Sequence, residues 1–106
     1  MAKKKKKIVE KEVETIVYSD IKIETNDENI ERLVNLLKNL IDEEDISRIV
    51  KEKARESLII LSKEGPLHIK LQKIIAIFEE LNEEPNLDQF SRISVWNLMS
   101  YIETLF

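Results

Sequence analysis

An all-α, up-and-down four-helix bundle preceded by a basic N-terminal arm is the architecture this sequence predicts, and three observations carry the prediction. Apolar residues recur three and four apart in four successive segments, the pattern of helices that each bury one face. The single glycine and both prolines fall between those segments rather than inside them. No Gly-, Pro- or Ser-rich linker divides the chain, so its 106 residues hold one modest core. The arm takes residues 1–25 and the bundle residues 26–106.

The first helix begins at Thr25-Asn26-Asp27-Glu28, which has the S/T-x-x-E form of a capping box. Ile30, Leu33, Val34, Leu37, Leu40 and Ile41 then share one face. Acids at a helix C-terminus oppose its dipole, so Asp42 to Asp45 belong to the connection and to the start of the next helix. The second helix runs from about Ser47 to Lys63 and buries Ile46, Ile49, Val50, Ala54, Leu58 and Leu61. Gly65 closes it in a left-handed C′ conformation, and Pro66 opens the third in its first turn, where a missing N–H costs nothing. Leu67, Leu71, Ile74, Ile75, Phe78 and Leu81 form the third stripe, which the turn around Pro85 interrupts.

Asp88 is the expected N-cap of the fourth helix, Gln89 to about Leu105. Ile93, Val95, Trp96, Leu98, Met99, Tyr101, Ile102 and Leu105 make it apolar on nearly every side. Such a helix is either central in its bundle or covered by a partner, so a homodimer or another protein contact is the partner expectation. The alternative is that the surplus scatters harmlessly over a surface that is half apolar in any protein. Trp96 poses the same choice at one residue. The favoured reading is core packing, with Asn97 and Ser100 supplying a hydrogen bond between helices. The other is an exposed anchor stiffened by a cation–π contact from Arg92, one turn earlier.

Residues 8–24 admit two patterns. Val9, Val13, Ile16 and Val17 fit a helical stripe, whereas Ile16, Tyr18, Ile21 and Ile23 fit two short strands turning at Ser19-Asp20. A glycine-free turn and a lone two-stranded ribbon are both weak, which favours a mobile or loosely docked arm. Charge divides along the same line. Residues 1–25 carry seven lysines against five acids, and the remainder ten positive against sixteen negative charges, a net of −6.

An acidic body argues against nucleic-acid binding by the bundle, since phosphate contacts need clustered cations. Lys3, Lys4, Lys5, Lys6 and Lys7 are the exception; they read as a solubilising terminus or, alternatively, as an RNA or ribosome contact. The longest apolar run is five residues, Ile74 to Phe78, against the roughly 20 a bilayer span requires. No secretory h-region follows the lysines, so the expected location is the cytoplasm.

Catalysis is not expected. The chain has one histidine, one glycine and no cysteine, which removes thiolate chemistry, cysteine metal sites and any glycine-rich phosphate loop. His68 follows Pro66 in the first turn of its helix, a place for an exposed or capping side chain rather than a proton shuttle. The acidic runs Asp42–Asp45, Glu79–Glu80 and Glu83–Glu84 lack the alternating ligands of a calcium loop and read as solvated charge. No cofactor or metal is implied.

Between Glu84 and Glu103 the chain carries a Pro85-Asn86 turn, then Arg92, the Trp96-Asn97 pair, Ser100 and Glu103. In these features it resembles the archaeal uncharacterised protein family 0147, short helical proteins with the same ending. The resemblance spans Asn29 to Glu103 and is most specific from Glu84 onward. It implies a four-helix bundle in an archaeal cytoplasm and supplies no catalytic or binding residue. Ser47 and Asp88 depart from prolines expected at those helix starts, and the Lys-rich arm before Asn26 is an addition to the family's compact pattern. The expected function is therefore non-enzymatic protein contact, with Arg92, Trp96, Asn97 and Tyr101 as contact or structural residues. Association with RNA or the ribosome through Lys3 to Lys7 is the alternative.

Overall fold

The computed structural model describes Ile23 and residues 27–106. Lys3 to Lys7 and the two readings of the arm, apart from Ile23, lie outside the described residues. Four helices follow one another: α1 (Glu28–Asp42), α2 (Arg48–Ser62), α3 (Leu67–Asn82) and α4 (Gln89–Glu103). Each packs on the next, and α4 returns to α1, closing the bundle. Short connections make consecutive helices antiparallel neighbours. The Tyr101 hydroxyl near the end of α4 reaches the carbonyl of Asn29 near the start of α1, so this last pair also runs antiparallel.

The core is the predicted periodicity made solid. Ile30, Leu33, Val34, Leu37 and Ile41 come from α1, and Val50, Ala54, Leu58 and Leu61 from α2. Leu71, Ile74, Phe78 and Leu81 come from α3, and Val95, Leu98 and Ile102 from α4. Phe78 is the largest fully enclosed side chain. Ile46 and Leu87, on the first and third of the three connections, are buried as well, and Ile23 packs against the cluster from outside. Ser57, fully buried among these residues, donates its hydroxyl to the Lys53 carbonyl one turn back at 2.9 Å, which removes the penalty of an unpaired polar group.

Several helix ends differ from the expectation. Asp27 caps α1, its carboxylate accepting the Asn29 N–H at 2.9 Å, so the helix starts later than the Thr25 box implies; Thr25 itself lies outside the described residues. Gly65 does take a positive φ, +131°, but α2 has already ended at Ser62. The glycine therefore bends the connection rather than serving as C′. Pro66 is the N-cap of α3 instead of a first-turn residue, and its carbonyl accepts from the Lys70 N–H. Lys70 also sends its ammonium to the Leu61 carbonyl at 3.3 Å, satisfying an orphan acceptor in the last turn of α2.

Of the residues assigned to the buried stripes of α1 to α3, Leu40 and Ile75 are partly buried and two are exposed. Ile49 is 38% exposed and Leu67 39%; Val50, next to Ile49, is fully buried, so the inward face of α2 runs through Val50, Ala54 and Leu58 and leaves Ile49 to one side.

Candidate functional site

The first turn of α4 is pinned from three directions. Asp88 caps it, its carboxylate accepting the Ser91 N–H at 3.0 Å. Hydrogen bonding from Ser91, through the hydroxyl and then the backbone, holds the Asp88 carboxyl below its ordinary value. Ser91 itself is fully buried, and its hydroxyl oxygen accepts the backbone N–H of Ser47 at 2.8 Å, tying the start of α4 to the start of α2. Ser47 thus contributes a donor that a proline at the same position would lack.

Arg92 supplies the third restraint. Its guanidinium donates to the carbonyls of Asn82 and, at 2.9 Å, Glu84, bracketing the turn between α3 and α4. A planar cation with two divergent N–H groups suits a pair of carbonyls: that of Asn82 is left over at the helix end, and that of Glu84 also accepts the Leu87 N–H at 3.2 Å in the turn. The cation is therefore a staple for the connection, not the cation–π stiffener of Trp96 that its spacing suggested.

With the start of α4 fixed, its rotation decides which apolar residues face inward. Ser91, Val95, Leu98 and Ile102 recur four and three apart and are buried. The opposite side carries Phe90, Ile93 and Trp96, which are 48%, 41% and 50% exposed. Trp96 is therefore a surface residue, correcting the core assignment. Its neighbours Asn97 and Ser100 are also exposed, and among the described residues their side chains make no bond between helices. Arg92 and Glu103 are the only charged residues of α4, so between them the outer face is free of charge.

The seam between α4 and α1 is closed at one end and open at the other. Tyr101 closes the first end, its hydroxyl donating to the Asn29 carbonyl at 2.8 Å. At the other end lies an open groove of about 210 Å³, lined by Leu36, Leu40, Ile46, Phe90 and Leu98 with Asn39, Glu43, Ser94 and Asn97. That volume is below the roughly 300–1,000 Å³ of ordinary small-molecule pockets. Glu43 is its single ionisable residue, so the lining holds no acid–base pair. His68 is exposed in the first turn of α3. Among the described residues no three His, Asp or Glu side chains converge as a metal site would need, and no helix is long and apolar enough to cross a membrane.

Of the residues singled out from sequence, Arg92, Trp96, Asn97 and Tyr101 are all placed by α4, but in different roles. Asn97 lines the groove, Trp96 flanks it on the outer face, and Arg92 and Tyr101 hold the helix in position. Sequence reasoning missed Phe90, Leu36 and Asn39. The spacing of Phe90 relative to Ile93 and Asn97 was an available signal for a second apolar side.

Comparison with known proteins places these features in a family. The model described as "Uncharacterised protein family (UPF0147)" matches residues 17–105. The match starts at Val17, earlier than the Asn29 suggested by motif and inside the segment assigned to the arm, while Lys3 to Lys7 stay outside it. A UPF0147 protein of Methanosarcina mazei is 30% identical over 88 residues, covering 80% of this chain and 95% of the relative. One from Methanosarcina acetivorans is also 30% identical over 88 residues, with 80% and 91% covered. A Saccharolobus solfataricus relative is 27% identical over 81 residues, with 76% and 91% covered. No solved structure matches the chain.

Proposed function

This chain belongs to uncharacterised protein family UPF0147, and we propose that it works without catalysis in the cytoplasm, by holding a protein partner against the outer face of α4. The carrying observation is the charge-free strip of Phe90, Ile93 and Trp96 in a chain whose residues are 36% charged. Together these three side chains leave on the order of 300 Å² of apolar surface in water, the size of the largest patch on many monomers and often a functional one. Two charge-assisted bonds from Arg92 and the Ser91–Ser47 bond hold that strip in a fixed orientation, which lowers the entropy lost on binding.

The test is site-specific crosslinking in cells. A photoreactive group replacing Ile93 should trap a discrete protein, while the same group replacing the exposed Glu52 of α2 should not. Trp96→Lys, introduced beside the photoreactive group at residue 93, should abolish the trapped product with little change in melting temperature, since Trp96 is half in water. Equal trapping at both positions would sink the reading.

A second reading has its own observation, the separation of a lysine-rich terminus from a body of net charge −6. RNA or ribosome association through Lys3 to Lys7 would give co-sedimentation with ribosomal particles at low salt and its loss at high salt. Sedimentation unaffected by replacing the five lysines with glutamine would remove it.

A further inference from the structure

Resting on that contact reading, we propose that the occupant of the α1–α4 groove is a helical segment of a partner protein, inserting one bulky apolar side chain and laying a basic end over Glu43, Glu44 and Asp45. Size selects the first part. A groove of about 210 Å³, open to the surface, accommodates a leucine- or phenylalanine-sized side chain and little more. Leu36, Leu40, Ile46, Phe90 and Leu98 make its walls apolar, and Asn39, Ser94 and Asn97 offer neutral hydrogen-bonding groups around the rim. This is the helix-in-groove arrangement, in which anchors spaced i, i+3 or i+4 and i+7 enter between two helices of the receptor. Further anchors of such a helix meet Ile93 and Trp96 beside the groove.

Charge selects the second part. Glu43 lines the groove, and Glu44 and Asp45 follow it in the exposed connection. At the other end of the seam Arg32, one turn before Leu36 on α1, stands among Glu28 and Glu31, so acid without a neighbouring cation is concentrated at the Glu43 end and the groove's charge has a direction. A helix with cations at one end fits that direction in one orientation only.

Area and charge together disfavour a second copy of this chain as the occupant. A specific interface uses about 800 Å² per partner, whereas the α4 strip offers on the order of 300 Å². The remaining area would come from bodies that each carry a net charge of −6 over residues 26–106.

The probe is a synthetic amphipathic peptide with leucines at i, i+4 and i+7 and lysines clustered at one end, titrated into the isotope-labelled full chain at low salt. A matched peptide has glutamates in place of the lysines. The lysine peptide should shift the amide signals of Leu40, Ser94 and Asn97 and leave those of α2 and α3 unmoved. Glu43→Lys should weaken it about three- to tenfold, more at low salt than at high. Ser94→Leu, which fills the groove, should weaken it at least about tenfold. Shifts spread over every acidic surface, or no effect of either variant, would overturn the proposal. Equal binding of both peptides at the seam would remove the basic end while leaving the contact reading intact. Sedimentation equilibrium supplies the remaining outcome: the full chain should be monomeric, and a dimer dissociated by Ile93→Lys would give this face to a second copy instead.

Discussion

Helices α1 and α4, of 15 residues each, face one another across the seam and treat solvent in opposite ways. In α1, five charged residues, Glu28, Glu31, Arg32, Lys38 and Asp42, lie off the buried face of Ile30, Leu33, Val34, Leu37 and Ile41. Its sequence alone says which side goes in. In α4 the buried positions are Ser91, Val95, Leu98 and Ile102, one of them a serine, while Phe90, Ile93 and Trp96 remain outside. Ile93 and Trp96 are as apolar as the residues that are buried, so hydrophobicity alone does not choose the orientation. The difference teaches that α4 is oriented by polar restraints at its two ends, and that its apolar surplus is held outward by them.

The largest effect should come from the inward half of this contrast. Phe78→Ala should cost about 3–5 kcal/mol in urea denaturation, because a fully enclosed ring leaves a cavity. Trp96→Ala, despite removing a larger side chain, should cost no more than about 1 kcal/mol, since half of it is already in water. Comparable losses would mean that α4 is rotated differently in solution.

The restraints come next. Arg92→Met retains much of the side-chain volume but strips the charged donors from the Asn82 and Glu84 carbonyls. A loss of about 1.5–3 kcal/mol is expected, with faster amide exchange in the α3–α4 connection. At the opposite end, Tyr101→Phe removes only the hydroxyl bond to Asn29, for about 0.5–1.5 kcal/mol. Its signature should be exchange at the start of α1 rather than throughout the bundle.

The smallest effect is one of pH. The Ser91 hydrogen bonds depress the folded-state pKa of Asp88 below the ordinary 3.8. The stabilisation is therefore complete above that value and is lost as pH falls through the lower folded value. Asp88→Asn keeps a capping oxygen without the titration. The stability advantage of the parent chain over this variant should shrink on acidification below pH 3.8 and stay flat above it.

Much of this architecture is legible in the residues. The three- and four-residue spacing of Leu33, Leu37 and Ile41, and of Leu71, Ile74 and Phe78, identifies core faces before any contact is known. Asp88 announces the cap it makes. The candidate site was legible only in part: α4 was visibly over-apolar, and Trp96, Asn97, Arg92 and Tyr101 stood out, but their roles did not. Arg92 was paired by spacing with Trp96 on its own helix, whereas its guanidinium satisfies carbonyls from the preceding turn. The box pattern set the helix start at Thr25 by residue type, whereas the helix begins at Glu28 with Asp27 as its cap, because capping depends on where the chain enters the helix.

What the sequence by itself determined is the number of helices, their approximate limits, and the buried face of every helix whose polar and apolar residues segregate. A helix that is apolar nearly all round carries no such instruction, because several rotations about its axis bury similar area. Only the tertiary structure decided that rotation for α4, by bringing Ser47 to Ser91, the Asn82 and Glu84 carbonyls to Arg92, and Asn29 to Tyr101. Those hydrogen bonds join residues that are separated along the chain and converge only once the helices pack, and their directionality does what apolar burial cannot.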